Sequence, residues 1–262
     1  MKRLVWGGIG LLLSGGAISG AVATEVDISV GTELFAWEEF DDAGNSLLEE
    51  SGLRHFVSIH GTNHFDYLWS SIFSGRFYSG VVDYDGQTQG GAPVKTDVDY
   101  NGMRFELGLS RRIGAVAELR GESQWWVDYR IGADYWRRGL RDSQLEDGTV
   151  ASGYTERYET IYGRVGARYS GANGFGAKLG MKWPFSTDEE VRINGQTISL
   201  NPEGRLSAYA SLSYGFNPGW GVSLNYDSYR FAKSDPVVVG DWLVWQPESH
   251  QDTLGLAAHY RF

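Results

Sequence analysis

The chain contains no cysteine. That excludes a disulfide framework, thiolate chemistry and a lipidated cysteine anchor. Beyond the N-terminal region, no apolar segment reaches the roughly 20 uncharged residues that a membrane-crossing helix requires. Basic residues are scarce, 23 Lys and Arg against 33 Asp and Glu for a net charge of −10, so the cationic footprint needed to bind nucleic acid phosphates is missing. His55, His60, His64 and His259 are scattered without the spacing of metal ligands, and nothing in the sequence calls for a metal or cofactor. What the chain does have is 36 Gly, 10 Trp and 15 Tyr, a glycine- and aromatic-rich composition suited to a barrel with aromatic girdles.

The N-terminus reads as a secretory signal. Lys2 and Arg3 precede an apolar stretch of about ten residues, Leu4 to Leu13, and Ala21-Val22-Ala23 forms a small-x-small cleavage site. The sequence therefore predicts a signal peptide over 1–23 and one domain over 24–262. At the other end, Leu254, Leu256, Ala258, Tyr260 and Phe262 form an apolar stripe of period two that runs to an aromatic terminus, the pattern of the closing strand of an outer-membrane barrel.

Similar alternation recurs along the chain, and the spacing predicts ten strands near 26–38, 53–61, 67–82, 98–110, 115–131, 154–169, 175–184, 204–216, 220–231 and 250–262. If the second and third were one bent element, the count would be eight. Compact connections rich in turn formers, Gly61-Thr62-Asn63-His64, Arg111-Arg112-Ile113-Gly114, Gly171-Ala172-Asn173-Gly174 and Asn217-Pro218-Gly219, suit the periplasmic side. Longer segments near 39–52, 83–97, 132–153, 185–203 and 232–249 suit the extracellular side. The fold class is thus a closed antiparallel up-and-down transmembrane β-barrel, with Phe105, Leu179 and Leu212 facing lipid and polar residues facing the lumen.

On these features the mature chain resembles the small outer-membrane β-barrel proteins of Gram-negative bacteria. The resemblance implies residence in the outer membrane among lipid and lipopolysaccharide, a monomer, and recognition of the terminal strand by the barrel-assembly machinery through Tyr260 and Phe262. Members differ widely in activity, so the fold supplies no reaction. Alternation places Glu33, Arg76, Arg104, Glu106, Glu118, Arg120, Glu122, Asp128, Arg130, Arg164, Arg168, Lys178, Lys182, Asp227 and Arg261 inside. Buried opposite charges must pair, which favours an occluded lumen over a narrow selective channel. A wide porin-like passage goes with about 16–18 strands.

The layout also resembles the ten-stranded omptin proteases, which carry paired rim aspartates and an Asp-His couple across a cleft. That likeness directs attention to Asp83, Asp85 and His250 as weak catalytic candidates, although His250-Gln251-Asp252 reverses the order of the family's Asp-x-His step. Ser249 and His250 do not make a lipid hydrolase pair, because adjacent strand residues point to opposite faces. Acidic groups crowd the first extracellular segment, from Glu38 to Glu50, and Trp136, Arg137, Arg138 and Arg141 stand out as contacts for lipopolysaccharide phosphates and sugars. The leading expectation is a structural or binding role carried by the loops, with an omptin-like hydrolase and a narrow channel as alternatives.

Overall fold

The structure is a computed structural model that describes residues 24–88, 91–113, 123–145, 147–193, 195–217, 219–240 and 242–262. The expected signal segment 1–23 and the expected lumen residues Glu118, Arg120 and Glu122 lie outside the described residues.

Ten long strands build the wall: β1 (Thr24–Phe40), β2 (Ser46–His64), β3 (Trp69–Gln87), β4 (Pro93–Ile113), β5 (Gln124–Leu140), β6 (Thr155–Ser170), β7 (Phe175–Ile193), β8 (Ser207–Asn217), β9 (Trp220–Phe231) and β10 (Glu248–Arg261). Each pairs antiparallel with its neighbours in sequence, and β10 pairs with β1 from Asp27↔Arg261 up to Phe40↔Glu248. Closure leaves no free edge in the wall, the condition for a sheet to cross hydrocarbon. β2 and β3 are separate strands, so the count is ten.

Around the lower half of this wall the outward side chains are apolar and exposed: Ile28, Val30 and Leu34 on β1, Phe105 and Leu107 on β4, Leu179 on β7, Leu212 on β8, Leu254 and Leu256 on β10. A continuous apolar belt of this kind is not tolerated in water. It is the lipid face.

The chain departs from the sequence reading at the strand ends. Gly61-Thr62-Asn63-His64 stays in β2, and the turn falls at 65–68, where Asp66 accepts hydrogen bonds from the amides of Leu68 and Trp69. Arg111 to Ile113 likewise remain in β4. At the other end the expected long loops shrink, 39–52 to residues 41–45 and 83–97 to residues 88–92, because the strands continue. β2 and β3 are each 19 residues long and β4 is 21, whereas crossing the bilayer takes about 9–11. The wall therefore rises well above the membrane.

Its pattern also inverts there. Inside the bilayer, apolar residues point out; above it, Glu49, Asp83, Asp85 and Asp99 point out while Leu48, Val82, Tyr84 and Val98 are buried inside. Short hairpins at Ser143–Gln144 with Val150–Ala151 and at Val237–Val239 with Trp242–Val244 decorate the same tall end. The tall end is extracellular and the end with short turns periplasmic, as in barrels of this type.

Local irregularities have local causes. Pro184, which has no amide hydrogen to donate, sits where the β6–β7 register slips next to Tyr162, since a bulge is where a strand tolerates proline. Glycines make room for rings in the lumen: a Cβ on Gly102 would collide with Tyr78, and one on Gly132 with Tyr162.

A candidate functional site in the lumen and on the outer wall

At membrane level the lumen is held by bridging carboxylates. Glu33 on β1 receives Arg54 at 2.6 Å and is also paired with Arg76. Glu106 on β4 accepts from Arg164 at 2.5 Å, from Arg130 at 3.1 Å and from the Tyr162 hydroxyl at 2.8 Å. Asp227 on β9 lies 2.6 Å from Arg164 and 3.3 Å from Arg104, and it also pairs with Lys182. Asp134 accepts from Arg104 at 2.8 Å and from the hydroxyls of Tyr78 and Tyr229, each at 3.0 Å. These bonds tie β1 to β3, β4 to β6 and β9, and β7 to β9 across the barrel interior. Each carboxylate serves at least two partners, which is how buried charge becomes tolerable.

The balance is nonetheless uneven. Eight inward cations, Arg54, Arg76, Arg104, Arg130, Arg164, Arg168, Lys178 and Lys182, face five carboxylates, Glu33, Glu106, Asp128, Asp134 and Asp227, among the described residues at this level. Among the described residues, cations therefore outnumber carboxylates in this part of the lumen.

Above it a layer of aromatic rings packs across the lumen face. Trp136 and Tyr158 stack at 4.7 Å with an interplanar angle of 6°, Tyr229 stacks on Phe231 at 5.6 Å, and Trp37 packs on Tyr158 at 5.7 Å. Trp37, Tyr158, Tyr229 and Phe231 are all 0% exposed.

This aromatic layer is threaded with acids, because Glu39, Glu50, Glu156 and Glu189 all point inward with Arg138 as their one inward cation among the described residues. Arg138 pairs with Glu50 and Glu156, Tyr100 donates to Glu50 at 2.5 Å, and Glu39 accepts from Trp37 at 3.0 Å and Gln246 at 2.9 Å. Both carboxylate oxygens of Glu189 lack a hydrogen-bond partner. These groups lie above the lipid belt, and burial acts on them directly. It pushes the Glu39 carboxyl up to about 7 and that of Glu189 well above the ordinary range, with Glu156 adding repulsion in both cases. The missing counter-charge is thus supplied by protons.

The outer wall carries most of the remaining sequence-predicted residues. Asp83 and Asp85 face the exterior of β3, and His250 faces the exterior of β10 beside Phe40 and Glu248. His250, Glu38, Glu49 and Asp85 occupy one register row across β10, β1, β2 and β3. Three strand spacings separate His250 from Asp85, about 14 Å. A general base and the group it serves must meet within hydrogen-bond reach, and these residues share neither a cleft nor that distance. Lys95 binds Asp85 at 2.7 Å instead.

Of the four residues expected to meet lipopolysaccharide, Trp136 and Arg138 turn out to point into the lumen, because strand alternation persists above the membrane where a loop was expected. Arg141 is engaged by Asp97 and Asp99, each at 2.8 Å. Among the described residues, Arg137 alone of the four faces outward without an ion pair, and directly across from it stands Arg157 of β6, whose Nε has no hydrogen-bond partner among them either. The sequence reading passed over Arg157, which lies in an ordinary alternating stretch. At the periplasmic rim, Arg261 pairs with Asp27 at 2.8 Å, Tyr260 packs on Trp220 and Phe262, and the amide of Phe262 donates to Val26.

No protein-family model matches the chain, and no curated protein does. Solved structures do. The outer membrane protease OmpT from Escherichia coli superposes with a TM-score of 0.57 at 11% identity, over 93% of this chain and 98% of that one. An outer membrane channel of Pseudomonas putida F1 matches with a TM-score of 0.44 at 9% identity, over 95% and 98%. Ail, the attachment invasion locus protein of Yersinia pestis, gives 0.35 at 13%, over 91% and 99%. At such identities the likeness concerns fold alone. The chain is a small outer-membrane-type β-barrel, with the lipid belt outside and the polar lumen inside that define the class.

Proposed function

We propose that this protein is a solute-tight barrel of the outer membrane with a structural or binding role, acting through its outer wall and extracellular rim rather than through its lumen. The observation that carries this reading is the ring layer of Trp37, Trp136, Tyr158, Tyr229 and Phe231, 0–1% exposed, set directly above a lumen crossed by ion pairs. Planar-bilayer recording of the refolded protein tests it. A silent bilayer at high protein load is expected, and discrete conductance steps would favour a narrow channel instead.

The partner that best fits the wall is lipopolysaccharide. Arg137 and Arg157, facing each other just above the apolar belt and beside Tyr135, present two guanidiniums to the zone of lipid phosphates, where bidentate contacts are strong. Like charges in direct cross-strand opposition are unfavourable alone, and a bound phosphate relieves that. The double variant Arg137→Gln with Arg157→Gln should lose lipopolysaccharide retention in detergent extracts while folding normally. Retention equal to wild type would remove the assignment. The signal peptide over 1–23 and recognition of Tyr260 and Phe262 by the barrel-assembly machinery complete the proposed route to the membrane.

A further inference from the structure

The periplasmic half of the lumen gathers cations that its described residues do not fully pair. One register row runs Arg112, Trp126, Arg168, Lys178, Ser211, Asn225 across β4 to β9. Arg112 and Arg168 lie on the Trp126 ring, at 4.7 and 4.8 Å from its centre, and Arg168 and Lys178 stand directly opposite each other on adjacent strands. Of the acids near this row, Asp128 is already shared by Arg130 at 3.3 Å and Arg168 at 3.4 Å, and Asp27 holds Arg261 at 2.8 Å. Lys178 has no ion pair and no hydrogen bond among the described residues. The row above makes the contrast: there Arg130, Arg164 and Lys182 also align, yet each meets Glu106 or Asp227.

Space is available beside Lys178. The neighbouring lumen positions on β8 and β9 are small and polar, Ser211, Ser213, Ser223 and Asn225, and they keep partial exposure to solvent where the aromatic layer has none. We propose that this mouth is a binding site for a small oxyanion of the phosphate class that enters from the periplasm and bridges Arg168 and Lys178. Opposed like charges in a low-dielectric wall are costly until an anion joins them, and serine hydroxyls and the Asn225 amide offer the further donors that a tetrahedral oxyanion accepts.

The test uses the refolded protein in detergent, titrated calorimetrically with inorganic phosphate at constant ionic strength against chloride. Saturable one-site binding is expected for the wild type, weakened at least tenfold in Lys178→Gln and unchanged in Arg205→Gln at the far rim. Ser211→Asp, which places a carboxylate in register with Lys178, should abolish phosphate uptake in a barrel that keeps its lysine. Absence of saturable binding by the wild type overturns the proposal. So does undiminished binding by both lumen variants.

Discussion

The two halves of the lumen solve the same problem of enclosed charge in opposite ways. At membrane level, cations outnumber carboxylates, and each acid is a hub joining several strands. Above the membrane, four inward carboxylates face Arg138 among the described residues, burial raises the proton affinity of Glu39 and Glu189, and aromatic packing surrounds them. On the proposed reading, cross-bracing belongs to the lower layer and sealing to the upper one.

The most damaging way to break this division is at a lower hub. Asp227 serves Lys182, Arg164 and Arg104, so Asp227→Ala leaves Lys182 buried without a carboxylate and takes one of two acidic partners from Arg164 and from Arg104, and it should cost about 5 kcal/mol, the upper end for a broken buried pair. Denaturant unfolding of the refolded barrel reads this directly. Replacing Lys182 as well, by Met, should recover part of the loss.

Breaking the upper layer should cost less stability and more tightness. Trp136→Ala removes the ring stacked on Tyr158 for about 3 kcal/mol, and bilayer recording should then show steps absent from the wild type. If Trp136→Ala stays silent while Asp227→Ala conducts, the assignment of sealing to the rings is wrong.

Acid–base behaviour sharpens the contrast. Glu39 has its carboxyl raised from 4.5 to about 7, so the folded state binds a proton more tightly than the unfolded one. Its contribution is fully present below pH 4.5, fades as pH rises toward 7, and is lost above. Glu39→Gln keeps the neutral form at every pH and should stabilise the barrel at pH 8 by about 1–3 kcal/mol, given that a tenfold change in proton affinity corresponds to about 1.4 kcal/mol. No gain is expected at pH 4. The readout is the unfolding midpoint at the two pH values.

How far this could be read from the sequence follows from the same layering. Period-two stripes ending at Phe262 and the apolar-out sense at Phe105, Leu179 and Leu212 made closure, the count of ten and the lipid face legible, because in the bilayer every strand obeys one rule. Above the bilayer the rule reverses. At the top of β2 and β3 the apolar residues, Leu48, Val82 and Tyr84, move to the inside face, so a search for a continuing outward stripe ends the strands early and reports loops. That is why Trp136 and Arg138 were expected at the surface and lie in the plug, and why Arg157 was missed: its significance rests on a partner 20 positions away, Arg137, across a strand pair. Glu50 and Glu189 are equally silent in sequence, since burial and the want of a counter-charge belong to the assembled layer.

The smallest expected effect lies on the exterior. Arg141 binds Asp97 and Asp99, each at 2.8 Å, but all three are about half exposed. Asp99 is held below the usual carboxylate range by its hydrogen bond from Arg141, yet solvent and salt screen such a pair. Arg141→Gln should therefore shift the unfolding midpoint least of all these variants, and the small shift should vanish in 1 M salt. A salt-insensitive loss as large as that of Asp227→Ala would mean that the rim braces the wall as strongly as the lumen does, and the separation between a bracing interior and a solvated exterior would not hold.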